Sequence, residues 1–136
     1  MIRHALEKAP LECCGLLFGP SSTPQYIESI SPMRNIMESP TEFSIDPQEL
    51  INSLRDRRSS GQQLIGIYHS HPNSKALPSF RDTSEFYYHD VSYWIISLIS
   101  PAKPSLRCFR WLNRGFLEQN YSVTTSPYSL EQYEDN

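Results

Sequence analysis

The sequence predicts an α+β, or mixed α/β, domain built on a largely antiparallel sheet flanked by helices. Three observations carry this reading. Short apolar runs rich in β-branched and aromatic residues outnumber helix-period segments. Helix signals occur near the N-terminus, in the centre and after a His-x-His pair. Turn sequences join successive runs as hairpins.

The elements follow in order. Residues 2–9 (IRHALEKA) favour helix, and Pro10 stops it, because its ring clashes with the preceding turn and it has no N–H to donate. Residues 12–19 (ECCGLLFG) read as a buried strand ending at Gly19-Pro20. Residues 21–24 turn, and 25–33 alternate Tyr26, Glu28 and Ile30 with Ile27 and Ser29, as a second strand would. Residues 34–45 read as a loop with a short strand at Glu42–Ile45. Asp46 then caps a helix and Pro47 opens it. That helix shows Leu50, Ile51 and Leu54 on one face and stops at Ser59-Ser60-Gly61. Residues 63–71 are a β-branched strand closed by Pro72. A loop covers 73–82, and a short helix is expected over 80–88. Residues 91–99 form a buried strand, and 106–113 with 115–123 pair as a hairpin around Asn113-Arg114-Gly115. The polar, acidic segment 124–136 is expected to be loosely held.

The 136 residues suit one domain, taken as 1–136, with one core. A net charge of −3 offers no basic stripe for nucleic acid. The longest apolar stretches, such as 93–99, are too short to span a bilayer, and the N-terminus lacks the apolar core of a signal peptide. A cytoplasmic protein with no membrane partner is expected. Three cysteines (Cys13, Cys14, Cys108) and no CxxC point to reduced thiols, neither a disulfide framework nor a zinc knuckle.

The chemistry concentrates in residues 66–86, GIYHSHPNSKALPSFRDTSEF. Side chains two apart on a strand point to one face, about 6–7 Å apart at Cα, so His69 and His71 can converge on one ion. The stretch 72–81 is long enough to fold back and bring Asp82 to the same point. Two imidazoles and one carboxylate would leave the fourth position of a tetrahedral zinc ion open, as catalytic zinc sites do. Zinc lowers the pKa of water from ~16 to ~7, and the chemistry still needs a proton shuttle. Glu12 is the best candidate for it, and Ser79 can donate to a developing oxyanion. A lone HxH in a loop is a weak signal, however. Spacing alone leaves a metal site and ordinary loop residues both open.

The full pattern, H-x-H-P-x6-S-x2-D over His69, His71, Pro72, Ser79 and Asp82, resembles the signature of the JAMM metalloprotease family, the MPN+ domain. Residues 4–19 look like the family's N-terminal block, in which a helix ends in Pro-x-Glu before a Cys-Gly-aliphatic strand. Residues 35–50 are similar to the bacterial branch, where Asn, Pro, Phe and Asp-Pro recur before a helix, and 64–72 match the strand into the metal loop. The match runs in order over roughly residues 4–100. Cys13 stands where a small residue such as Ala is common, and the helix before Glu12 is short.

The resemblance implies a cytidine-deaminase-like MPN fold and one zinc ion per chain, on His69, His71 and Asp82. It implies Glu12 as general acid/base and Ser79 as helper at the oxyanion. It implies a peptidase or isopeptidase acting on the C-terminal tails of ubiquitin-like or sulfur-carrier proteins. A non-catalytic MPN scaffold is the first rival; it predicts damage to this five-residue set, and none is present. A metal-binding module or small-amide hydrolase is the second. Cytidine deaminase chemistry needs H-x-E and P-C-x-x-C, which the chain lacks.

Other residues read more plainly. Cys14, two after Glu12, is read as buried packing in preference to a nucleophile. His4 and His89 are read as surface or capping residues. Tyr87, Tyr88, Tyr93 and Trp94 are read as core and rim packing, with a substrate wall as the alternative. Arg81 is read as solvated, with a substrate carboxylate as the alternative, and Arg55–Arg58 as a solvated helix end set favourably against the dipole.

Overall fold

The computed structural model describes residues 1–23, 25–84 and 90–124. Its elements are α1 (Ile2–Lys8), β1 (Cys14–Pro20), β2 (Ser29–Met33), α2 (Pro47–Arg58), β3 (Gln62–His71), α3 (Phe80–Ser84), β4 (Ser92–Ser97), β5 (Ser105–Leu112) and β6 (Gly115–Gln119). The strands form one six-stranded sheet in the order β2-β1-β3-β4-β5-β6. β3 and β4 run parallel, joined by the crossover that carries α3. The other neighbours are antiparallel.

Helices cover both faces, which is why the central strands are apolar runs with no clean alternation. Ala5 of α1 packs with Cys13, Leu17, Tyr68, Trp94 and Ile96 on one face. Leu50 and Leu54 of α2 pack against Leu16, Phe18, Ile67, Tyr93 and Ile95 on the other. These two leucines lie four apart, one above the other on the helix. Ile51 lies a third of a turn away and is 47% exposed, so it does not join the apolar face expected for it. Asp46 Oδ1 accepts from Gln48 N at 3.2 Å and Pro47 opens α2, as expected.

Gly61, at φ +73°, turns the chain out of α2 into β3. Asn113 and Arg114, at φ +49° and +69°, make the β5–β6 turn, whose left-handed residues match the twist of the strands. Strand ends differ from expectation. β1 starts at Cys14, leaving Glu12 and Cys13 in the entry segment. β2 starts at Ser29 and β6 ends at Gln119; both are edge strands, where pairing stops once the single neighbour diverges.

The strand expected at Glu42–Ile45 does not form. Side-chain hydrogen bonds replace a ladder there. Asn35 Oδ1 accepts from the N–H groups of Met37 (3.0 Å) and Ser44 (3.1 Å). Asn35 Nδ2 donates to the carbonyls of Glu12 (3.1 Å) and Glu42 (3.0 Å). The Arg55–Arg58 end is not purely solvated. Arg57 lies 5.1 Å over the Phe18 ring and donates to Ser29 Oγ at 2.9 Å and Gln62 Oε1 at 3.2 Å. Of the helix expected over 80–88, residues 85–88 lie outside the described residues, as do His89 and 125–136. Among the described residues no helix is long and apolar enough to cross a membrane.

Candidate metal centre

His69 and His71 stand at the C-terminal end of β3, on the face of Ile67. β3 lies between β1 and β4, so both imidazoles are set by a strand bonded on its two sides. His69 is fully buried and His71 is 5% exposed. The loop after Pro72 turns back, so that His71 Nδ1 lies 2.8 Å from the Lys75 carbonyl. A carbonyl only accepts, so Nδ1 carries hydrogen and Nε2 is left to face the site. Ser97 Oγ donates to Ser74 O at 2.6 Å and ties this loop to β4.

Asp82 reaches the same point from α3. Its Oδ1 lies 3.3 Å from His69 Nε2, and its Oδ2 lies 3.2 Å from His71 Nε2. Ser79 N donates to Asp82 Oδ2 at 2.8 Å, while Asp82 N donates to Ser79 Oγ at 3.1 Å. This reciprocal pair fills donors that a helix start leaves open, and it orients the carboxylate. Burial pushes the Asp82 carboxyl up, but hydrogen bonds from His69, His71 and Ser79 outweigh it and hold the group well below the usual range.

The donor set suits a metal ion. The two His Nε2 atoms lie 3.0 Å apart, and the three donors all lie within 4.8 Å of one another. Ligands about 2.0–2.1 Å from a tetrahedral ion lie about 3.3–3.4 Å from each other, close to the spacings observed. Burial lowers His69, keeping it neutral as a ligand must be. Burial also opposes the charge on His71, but its hydrogen bonds to Asp82 and Lys75 leave the net value raised.

Glu12 is 4% exposed, and among the described residues its Oε1 has no hydrogen-bond partner. Burial pushes its carboxyl up to about 8, with Asp82 and Glu42 adding to the rise and His71 and Arg81 opposing it. Its main chain is fixed: Glu12 N donates to Ser39 O at 2.9 Å, and its carbonyl accepts from Asn35. A buried carboxyl with one oxygen unpaired among the described residues, beside three convergent donors, is poised to exchange a proton.

Aromatic rings enclose His69. Phe43 stacks on it at 4.6 Å between centroids, and Tyr93 lies 5.1 Å away, itself stacked on Phe116 at 5.0 Å. Tyr93 is thus both core and site wall, while Trp94 packs on the opposite face. Tyr87 and Tyr88 lie outside the described residues. Cys14 pairs in register with His69, but burial pushes its thiol up to about 12, so it packs and is no nucleophile. All three cysteines are free. His4 lies on the other face, 2.8 Å from Tyr68 Oη. Arg81 forms an ion pair with Glu42 and is not simply solvated.

The reading of the sequence missed Asn35, Glu42 and Phe43 as parts of the site. Asn35 and Phe43 had a signal, as recurrent residues of the 35–50 block; their role as braces did not show.

Residues 1–112 match a family model described as prokaryotic homologs of the JAB domain. A CysO-cysteine peptidase from Mycobacterium tuberculosis is 31% identical over 133 residues, covering 98% of this chain and 86% of that protein. A desampylase from Haloferax volcanii is 32% identical over 128 residues, covering 90% and 88%. Among solved structures, a protein from Desulfitobacterium hafniense superposes with a TM-score of 0.82 at 34% identity, covering 93% of this chain and 87% of that one. A JAB1/MPN domain protein from Archaeoglobus fulgidus gives a TM-score of 0.59 at 22% identity over 91% of this chain and 90% of that one, a likeness of fold.

Proposed function

The chain belongs to the prokaryotic JAB family of JAMM-type metallopeptidases, and from that premise we propose that it is a zinc peptidase cutting amide bonds at the C-terminal tails of ubiquitin-like or sulfur-carrier proteins. One observation carries the reading: three buried donors converge beside a buried carboxyl with one oxygen unpaired among the described residues. We take residues 1–136 as one domain, a view supported by the single sheet that holds every described strand.

His69, His71 and Asp82 hold one zinc ion per chain. When bound, the ion supplies a Lewis acid for the amide carbonyl and lowers the pKa of the attacking water. Glu12 takes the proton as the water oxygen bonds to the carbonyl carbon. Glu12 then delivers a proton to the nitrogen as the C–N bond breaks, leaving a carboxylic acid and an amine. Glu12 suits both halves because burial raises its pKa, while a cation nearby favours its charged form. Ser79 keeps Asp82 oriented and turns its hydroxyl toward the developing oxyanion. Buried Tyr93 and partly buried Phe43 wall the donors and limit the access of bulk water.

The substrate assignment draws on relatives whose names denote a CysO-cysteine peptidase, a desampylase and a probable TtuB-protein conjugate cleaving protease. The test is metal analysis joined to mass spectrometry of sulfur-carrier proteins before and after incubation. About one zinc per chain is expected, with cleavage at the tail. Glu12→Gln keeps the zinc and loses cleavage; His69→Ala loses both. Retained cleavage in Glu12→Gln refutes the mechanism.

A further inference from the structure

The mouth of the site carries an ion pair that the reaction above does not use. Arg81 Nη1 donates to Glu42 Oε2, and the two side chains are 53% and 25% exposed. Arg81 directly precedes Asp82 on α3, and Glu42 directly precedes Phe43, whose ring stacks on His69 at 4.6 Å. The pair therefore joins the two walls of the donor set. Both charges also act on Glu12, which sets them within electrostatic reach of the proton-handling group. With the Arg81 end open to solvent, the pair adds little to fold stability, so stability does not account for its position.

We propose that Arg81 is a specificity residue that takes the free α-carboxylate of the residue released from the substrate, displacing Glu42. This rests on the peptidase reading above and sharpens it: the favoured substrate ends one residue beyond the bond that is cut. A guanidinium stays charged at all working pH values, and its planar fork matches a carboxylate through two parallel hydrogen bonds. In such a substrate the carboxylate stands one Cα from the scissile nitrogen, hence near the donor set. A longer chain puts a neutral amide there. The exchange replaces one carboxylate by another on a half-exposed guanidinium, so the charge balance at Arg81 is kept as Glu42 turns away.

The test uses zinc-loaded full-length protein and two synthetic tail peptides ending in Gly-Gly-Ala, one with a free carboxylate and one with a carboxamide. Wild type is expected to favour the free acid in kcat/KM by about tenfold or more, the scale of a charged bidentate contact. Arg81→Gln should bring the acid down to the level of the amide, so that the preference is lost whatever change the missing charge makes to both peptides through Glu12. Arg81→Lys, which keeps the charge without the fork, should fall between. Glu42→Gln should keep the preference. A binding arm uses calorimetry on the cleavage-dead Glu12→Gln protein. The acid should bind tighter than the amide there, and the difference should vanish in Glu12→Gln/Arg81→Gln. Equal cleavage of both peptides by wild type overturns the inference alone. So does an equal fall on both in Arg81→Gln and Arg81→Lys, which would make the pair a brace between walls. Cleavage of neither peptide, nor of any sulfur-carrier tail, overturns the peptidase reading and this inference with it.

Discussion

Replacing Glu12 with Gln keeps the side-chain shape and removes the charge, which makes metal-free stability a direct probe of the buried carboxyl. In the fold the group ionises at about 8, against an ordinary 4.5. The folded value is raised, so the stability it supports is fully present below the unfolded value and is lost as pH rises toward 8. At about 1.4 kcal/mol per pH unit, the loss accumulates to about 5 kcal/mol by pH 9, a ceiling that relaxation of the site reduces. One kcal/mol moves the Tm of a domain this size by about 3 °C, so the ceiling is about 15 °C. The assay is thermal unfolding by circular dichroism with a chelator present, for wild type and Glu12→Gln, from pH 4.5 to 9. Titrating groups that do not interact with Glu12 are common to both proteins and cancel; His71, whose charged form Glu12 helps to favour, adds a smaller difference near the imidazole range. Near pH 4.5 the two should melt together, and by pH 9 the variant should melt well above wild type. A gap that stays constant with pH, or one that opens toward acid, refutes the assignment of Glu12 as a buried carboxyl with a raised pKa.

Further outcomes follow from the same geometry. Phe43→Ala removes the ring stacked on His69 and should weaken zinc binding about 2–10-fold in a chelator competition, the worth of one aromatic pair. Ser79→Ala removes the acceptor for Asp82 N, a cap worth about 1 kcal/mol, and should lower zinc affinity as well as turnover. Gly15→Ala would put its Cβ 2.3 Å from the buried Tyr68 ring and should cost about 1–3 kcal/mol in urea unfolding, since neither strand can step aside. Zinc should leave as pH falls through the imidazole range, because protons compete for His71, whose value is raised; release of zinc to a colorimetric chelator follows this.

Much of the fold is legible in the amino-acid sequence. The apolar runs of β1, β3 and β4 announce a sheet covered on both faces, and Asp46-Pro47 fixes the start of α2 by local chemistry alone. The convergence of His69, His71 and Asp82 was legible because the whole H-x-H-P-x6-S-x2-D pattern resembles a family signature, where the spacing of the two histidines alone left it open. What stayed hidden depends on partners distant in sequence. Arg81 and Glu42 lie 39 residues apart, and neither residue type announces the other. Residues 42–45 have strand-like composition, but the side chain of Asn35 takes up the backbone groups that a neighbouring strand would have paired. Arg57 sits in a basic run typical of solvent, and only the tertiary fold sets Phe18 beneath it. Edge strands ended early because their length depends on one neighbour, a property of the sheet and not of the segment.

The three donors are not held alike. The two imidazoles hang from an inner strand, whose amides should exchange with solvent only when the whole domain opens. The carboxylate hangs from a five-residue helix at the end of a loop, capped by Ser79 and tied to the Glu42 segment through Arg81. The site thus has a stiff half and a soft half. Under the proposed metal reading, an ion would load and leave through the half that α3 carries, with the sheet intact. Its rate of exchange would then follow the α3 segment, and the geometry it meets on arrival the strand.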